Sequence, residues 1–410
     1  MFGRFAGRHF GDYQAGFRFG QLGYDLVERR RLKRFEARTY YVFASFIASW
    51  MKHVRASGDL LLRAFEAANR SGDIMHAVYA CTNLNSALLF AGEPLPEVQR
   101  DAEQGVAFAT KAHFGTMIVH AATRLALIRM LRGLTLKFGC FDDGQFNELQ
   151  MECHLSGNPA LAYAKYCYWT WKLQARYLAG DYATAMDIAS KAKGPLLKSS
   201  LYLEEVEYHF YAGLARAACY SDSGTTDELD QHLDALAAHH KELQVWSDNC
   251  PENFENRAAL IGAELARLEG RVLDAEHLYE QAIRSSRDNG FVHNEAIAYE
   301  VAARFYRARG FDQFAHVYLR HARYGYLRWG ADGKVRQLDE HYPHLRREQD
   351  SASSTATIGT PVAQLNVETV VKASQALSSD SSTWTLSLYI TGNCRSGRTT
   401  ARRISKTAPR

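Results

Sequence analysis

From Arg34 to about Gly330, apolar residues recur at steps of three and four, in runs of about 15 to 20 residues separated by Gly, Asp, Asn or Pro. That period belongs to amphipathic helices. Ala275, Leu278, Tyr279, Ala282 and Ile283 form one such stripe. The pattern predicts seven helical pairs: 35–51 with 55–71, 73–91 with 94–114, 116–133 with 142–155, 158–179 with 182–193, 200–220 with 226–243, 253–269 with 272–288, and 291–309 with 312–329. The breaks have local causes. Ser71-Gly72-Asp73 ends one helix on glycine and offers an aspartate cap to the next, and Pro94 sits where a first helical turn tolerates proline. By the same reasoning Asn253 and Asp312 are expected to cap the helices that follow them.

Three stretches repeat one register: Gly180, Ala185, Ala192; Gly270, Ala275, Ala282; and Gly310, Ala315, Ala322. In each, a glycine closes one helix and two alanines seven residues apart share a face of the next. Small side chains there let neighbouring helices approach closely. Gly270 and Gly310 lie 40 residues apart, longer than the roughly 34 of a standard tetratricopeptide repeat, although the internal spacing is the same. The chain resembles tetratricopeptide repeats with elongated helices. The expected fold is all-α: helical hairpins stacked in a right-handed superhelix, an α-solenoid. The expected organisation is a truncated first repeat with a basic N-terminus (1–34), a repeat array (35–345), a Ser/Thr/Ala/Gly-rich linker (346–363), and a helix start followed by a basic tail (364–410).

Composition agrees with helix: 410 residues hold only 8 prolines, and Ala, Leu, Glu and Arg are abundant. The net charge of +4 hides an uneven split, since residues 1–38 carry +5 and residues 384–410 carry +6, leaving −7 for the body. Basic ends alone do not imply nucleic-acid binding, and no helix-turn-helix with a basic reading helix is present. The seven cysteines are odd in number, scattered and without a CxxC pair, as in a reduced cytoplasmic protein. Glycine and arginine interrupt every apolar cluster of the first 20 residues, so neither an export signal nor a membrane span is expected.

Longer stretches resemble one family. The runs NCPENFENRAAL (249–260), GAELARLEGRVLDAEHLYEQAIRSSRDNGFVHNEAIAYEVAARFYRARGF (262–311) and YLRWGADGKVRQLDEHYPHL (326–345) are similar to the helical region of very large bacterial signalling proteins. In those proteins a protein-kinase-like domain, a predicted ATPase, tetratricopeptide-like helices, a GAF sensor domain and a histidine kinase are joined. RMLRGLTLKFGCFDDGQF (129–146) and RYLAGDYATAMDIASKAK (176–193) fit the same region, so the resemblance covers about 11–378. It implies a scaffold that spaces catalytic domains and contacts them or other proteins. Gly11-Asp12-Tyr13 reads as a turn whose preceding helix is missing, and after VVKASQALSSD (370–380) the character changes abruptly. Frameshift or truncation of a longer gene accounts for both, so a fragment is expected.

No chemistry-bearing motif accompanies the helices. Gly330-Ala331-Asp332-Gly333-Lys334 has one glycine-lysine step but lacks the spacing and hydroxyl of a phosphate loop. HRD and DFG signatures are absent. His154, His239 and His240 lack the acidic neighbour of a phosphoacceptor site, and Cys140, Cys153 and His154 lack the close pairing and fourth ligand of structural zinc. No catalytic residue, cofactor or metal is expected. The candidate contact residues are aromatic: Tyr168, Trp169 and Trp171 in one face, and Tyr318, Tyr324 and Trp329 in another. Most are expected between helices, with a minority lining a concave groove for a protein or peptide segment. The alternatives are a piece of an ATP-binding serine/threonine or histidine kinase, and the helical arm of a transcriptional regulator.

Overall fold

Helices of two kinds alternate along the chain. The computed structural model describes residues 6–7, 10–192, 202–220 and 226–346; beyond Arg346, the predicted linker and tail lie outside the described residues. One set forms an inner layer, its middle members buried on nearly all sides and the first and last on part of theirs: α2 (Lys33–Phe46), α4 (Ile74–Ala91), α6 (Gly115–Leu131), α8 (Ala162–Leu178), α10 (Leu203–Cys219), α12 (Pro251–Leu268), α14 (Val292–Ala308) and α16 (Asp332–His341). The other set buries one face: α1 (Tyr13–Arg29), α3 (Val54–Ser71), α5 (Leu95–Lys111), α7 (Glu148–Ser156), α9 (Tyr182–Ala192), α11 (Thr226–Asn249), α13 (Val272–Asp288) and α15 (Asp312–Trp329). Successive members of the first set pack on one another, and each member of the second packs on its chain neighbours. The result is an inner layer wrapped by an outer one, with no strand among the described residues.

The turn chemistry recurs. Gly270, Gly290, Gly310 and Gly330, twenty residues apart, all have φ between +72° and +82°. This left-handed conformation ends a helix while its backbone N–H satisfies a carbonyl of the preceding turn. In the N-terminal half the same stops fall at Gly72, Gly92, His113 and Gly133, so His113 holds at φ +58° a conformation unfavourable to a side chain. Gly180 shares the conformation at φ +82°. Ala185, Ala192, Ala275, Ala282, Ala315 and Ala322 are all buried, the most exposed at 4%.

Several local expectations are corrected. Asn253 does not cap: α12 begins at Pro251, the position a proline prefers, which places Asn253 inside the helix. Asp312 is likewise the first helical residue of α15, after Phe311. The helix expected from 142 begins at Glu148, because Asp143 folds the preceding chain by accepting from Gln145 N at 2.6 Å and Phe146 N at 2.7 Å. Residues 13–29 form a complete helix, capped by Asp12 accepting from Ala15 N at 2.8 Å, and Phe17 packs on Phe43 of α2.

The array also closes on itself. Asn253 of α12 accepts from Val54 N at 2.9 Å and donates to Ser49 O and Lys52 O at 2.7 and 2.8 Å. Trp246 Nε1 donates to Tyr13 OH at 3.0 Å, Arg55 donates to Gly290 O at 3.0 Å, and Arg336 donates to Gly133 O at 2.8 Å. These pairs are separated by 199 to 235 residues, which is five to six units of 40. Repeats near the two ends of the array therefore pack on their neighbours and on repeats one superhelical turn away.

Candidate functional site

Closure brings inner helices from distant repeats together around the axis, and the residues that meet there are polar. Ser86 Oγ of α4 donates to Glu204 Oε1 of α10 at 2.7 Å, and His120 Nε2 of α6 lies 3.3 Å from the same oxygen. Arg124, one turn beyond His120, donates to Thr82 O at 2.6 Å and sits 3.1 Å from His120 Nε2. Burial alone would push the Glu204 carboxyl up, but hydrogen bonds and charge from His120, Arg124 and Ser86 hold it at about 2. Burial and the Arg124 charge lower His120.

His120, Cys167 and Glu204 place one ligand atom each within 4.8 Å of one another. Their chemistry fits a cation poorly, because the Arg124 guanidinium already brings a positive charge against His120 and burial pushes the Cys167 thiol up. Cys140, Cys153 and His154, set aside above as a metal site, are not among the residues grouped there.

Two further ion pairs join adjacent inner helices, and each cation also reaches a more distant one. Arg257 of α12 donates to Glu207 Oε1 of α10 at 3.1 and 2.7 Å while its guanidinium lies 3.9 Å from the Phe90 ring centroid of α4. Lys334, the residue of the would-be phosphate loop, is buried. Its Nζ donates to Leu178 O, Glu300 Oε1 and Gln337 Oε1, all at 2.9 Å. Beside it, a Cβ on Gly333 would lie 2.7 Å from Met130 O. This lysine is a seam tie.

A cavity of about 10 Å³ lies between the inner helices, roughly the room one water needs. Ser86, Phe90, Trp171, Gln174, Glu207 and His293 line it. Trp171 Nε1, Gln174 Oε1 and His293 Nδ1 have no protein partner, so the space suits a small polar molecule and cannot admit a peptide.

The aromatic candidates are redistributed accordingly. Tyr168, Trp169, Trp171 and Trp329 are buried and cannot line a groove. The first three belong to α8, which is enclosed on all sides, and Trp329 packs on His293 with centroids 5.1 Å apart. Tyr318 is half-buried and donates to Glu280 of the preceding repeat. Tyr324 alone of the six is exposed, at 42%, on the outer layer.

Sequence reasoning missed Arg124, Glu204, Glu207 and Arg257. A signal existed: Arg257 stands at helical steps from Phe254 and Ile261, on the stripe that reads as core.

The family model described as CHK1-like, TPR repeats matches residues 144–306, from just before α7 through most of α14. That stretch is similar to tetratricopeptide-type repeats. No curated protein matches the chain.

Proposed function

We propose that this chain is a non-catalytic helical-repeat module that holds partner proteins in signal transduction, within the kinase, ATPase and GAF sensor family that its sequence resembles. One observation carries the reading: most of the buried charged groups of the inner layer are paired in ties between helices, as in Ser86–Glu204–His120, Glu207–Arg257 and Glu300–Lys334. Such groups lack access to a substrate, whereas a two-layer repeat offers a long preorganised outer surface. No described helix is long and apolar enough to cross a membrane.

The test uses the full chain. Crosslinking in extract of its own source, read by mass spectrometry, should place partner crosslinks on outer helices, and Mg-ATP titration should give no binding heat. Stoichiometric ATP binding or phosphate incorporation would overturn the reading in favour of a kinase.

A further inference from the structure

The elbow between α1 and α2 carries a charge run that neither the fold nor the partner reading employs. Arg29, Arg30, Arg31, Lys33 and Arg34 stand together in the sequence, flanked by Arg18 and Arg38, and all of them are exposed. The acids of the same hairpin are already engaged. Asp12 caps α1, Asp25 accepts from Gln21 at 2.8 Å, Glu28 accepts from Arg63 of α3 at 2.6 Å, and Glu36 accepts from Arg70 of α3 at 3.3 Å. Arg29 lies 3.9 Å from Asp25, and the other cations of the run have no carboxylate partner among the described residues. Folding does not call for them. The dipole of α1 favours Arg29 in its last turn, but Lys33 and Arg34 open α2, where the dipole opposes positive charge. Arg31 ends α1 at φ +50°, a left-handed backbone that glycine supplies at Gly72 and Gly92 and that a side chain strains. Like charges so close together also repel.

Apolar groups are interleaved with these cations. Arg18, Leu22, Leu26 and Arg29 fall within about 80° of one another around α1, and the two leucines are 64% and 52% exposed. On α2, Phe35 is 51% exposed beside Arg34 and Arg38. We propose that this elbow docks on an anionic lipid surface, its cations meeting headgroup phosphates and carboxylates while Leu22, Leu26 and Phe35 reach the acyl boundary. The mixture selects that occupant. Nucleic acid would take the cations but gain little from aliphatic side chains, which offer neither a stacking ring nor a donor to a base edge. An acidic protein would have to set a carboxylate opposite each cation across two helices and their turn, whereas mobile headgroups collect around them.

Lipid binding at the elbow is separate from protein capture on the outer layer, so either can fail without the other.

The probe is a phosphatidylcholine vesicle with or without about a third phosphatidylserine, and the readout is flotation of the full chain at low salt. Association should be at least ~100-fold tighter with phosphatidylserine present. The variant Arg30→Gln, Arg31→Gly, Lys33→Gln, Arg34→Gln should weaken it at least ~100-fold, about 5-fold for each cation removed. Its melting temperature should be unchanged or raised, since the four side chains are exposed and Arg31→Gly relieves the turn. Should it unfold, Arg30→Gln with Lys33→Gln leaves the turn intact and is expected to lose ~25-fold. Leu22→Gln with Leu26→Gln should weaken vesicle binding ~10-fold and leave heparin binding as it was. The basic residues of 384–410 stay in every variant, so vesicle binding unchanged by the elbow substitutions would place the lipid contact elsewhere and overturn the proposal. No association with phosphatidylserine vesicles would overturn it, as would vesicle binding indifferent to the leucine pair. A duplex oligonucleotide or a polyglutamate peptide bound more tightly than the vesicles, and released by the elbow variant, would make nucleic acid or an acidic protein the occupant and equally overturn it.

Discussion

The inner and outer layers each carry exceptions to the usual distribution of polarity. Inside, α6, α10 and α12 bury Arg124, Glu204, Glu207 and Arg257; outside, α15 leaves Phe314 and Val317 in water. Between neighbouring repeats, alanines and αL stops provide contacts that any adjacent pair can make. Between turns of the superhelix the contacts are single and directional: one asparagine clamps three backbone groups, and one arginine, paired with a carboxylate of the neighbouring inner helix, lies over the Phe90 ring of a distant one. Apolar repeat packing by itself would tolerate a slip of register, whereas directional bonds fix which repeat meets which. The outer surface has no such constraint and can diverge from repeat to repeat.

The largest effect should come from the buried pair between α10 and α12. Arg257→Met strands Glu207 in the interior and is expected to cost roughly 3–5 kcal/mol in urea unfolding, and the double variant with Glu207→Leu should recover much of it. If the single and double variants unfold alike, the pair does not hold these helices together. Asn253→Ala leaves Val54 N–H and two carbonyls unpaired, an expected loss of about 2–4 kcal/mol. The local cap Asp73, whose carboxylate meets only His76 three residues on, should cost about 1 kcal/mol as Asp73→Ala. Comparable losses at the two sites would erase the distinction between the seam and a local contact.

Two glycines with one backbone conformation sharpen the contrast further. At Gly270, φ +74°, a Cβ meets open space, while at Gly92, also φ +74°, it would lie 2.3 Å from His293 Nδ1. Gly270→Ala should therefore cost about 1–2 kcal/mol from backbone strain alone, and Gly92→Ala at least ~1 kcal/mol more from the clash across the seam. Equal melting temperatures would show that the turns are not in contact there.

The inner layer should also govern acid sensitivity. His120 and His293 are both lowered by burial and nearby arginines, so below the ordinary histidine value of 6.5 the unfolded chain binds more protons and stability falls with pH. Glu204, held at about 2 against an ordinary 4.5, adds a second loss as pH falls from 4.5 towards 2. Thermal melts from pH 8 to pH 3 should show both steps, and His120→Gln should shrink the first. A flat profile from pH 7 to 5 would rule out the histidine contribution. Smallest is His113→Gly, which relieves the one non-glycine stop of its series and should gain about 0.5–1 kcal/mol; a loss would mean that the His113 side chain makes a compensating contact.

Much of the fold could be read from local pattern. Helix spacing, the αL glycines and the Gly-Ala-Ala register are short-range properties, set by backbone sterics and by the 3.6-residue period. The candidate contact residues were harder. Aromatic content cannot distinguish Trp171, which faces the axis, from Tyr324, which faces solvent, because both stand in amphipathic runs and their exposure depends on whether the helix belongs to the inner or the outer layer. Asn253 shows the same limit at one residue: beside a helix start it has the chemistry of a cap, and only the position of Ser49 and Lys52 makes it a clamp.

The sequence by itself determined that the chain repeats, that its units are helical hairpins about 40 residues long, and that no catalytic motif accompanies them. Tertiary structure decided that the array turns back on itself after five to six units and that charged residues are buried and paired between its inner helices. The physical reason is range. Periodicity and turn chemistry act within one helix or its neighbour, while seam bonds join residues some 200 positions apart, which no local pattern records.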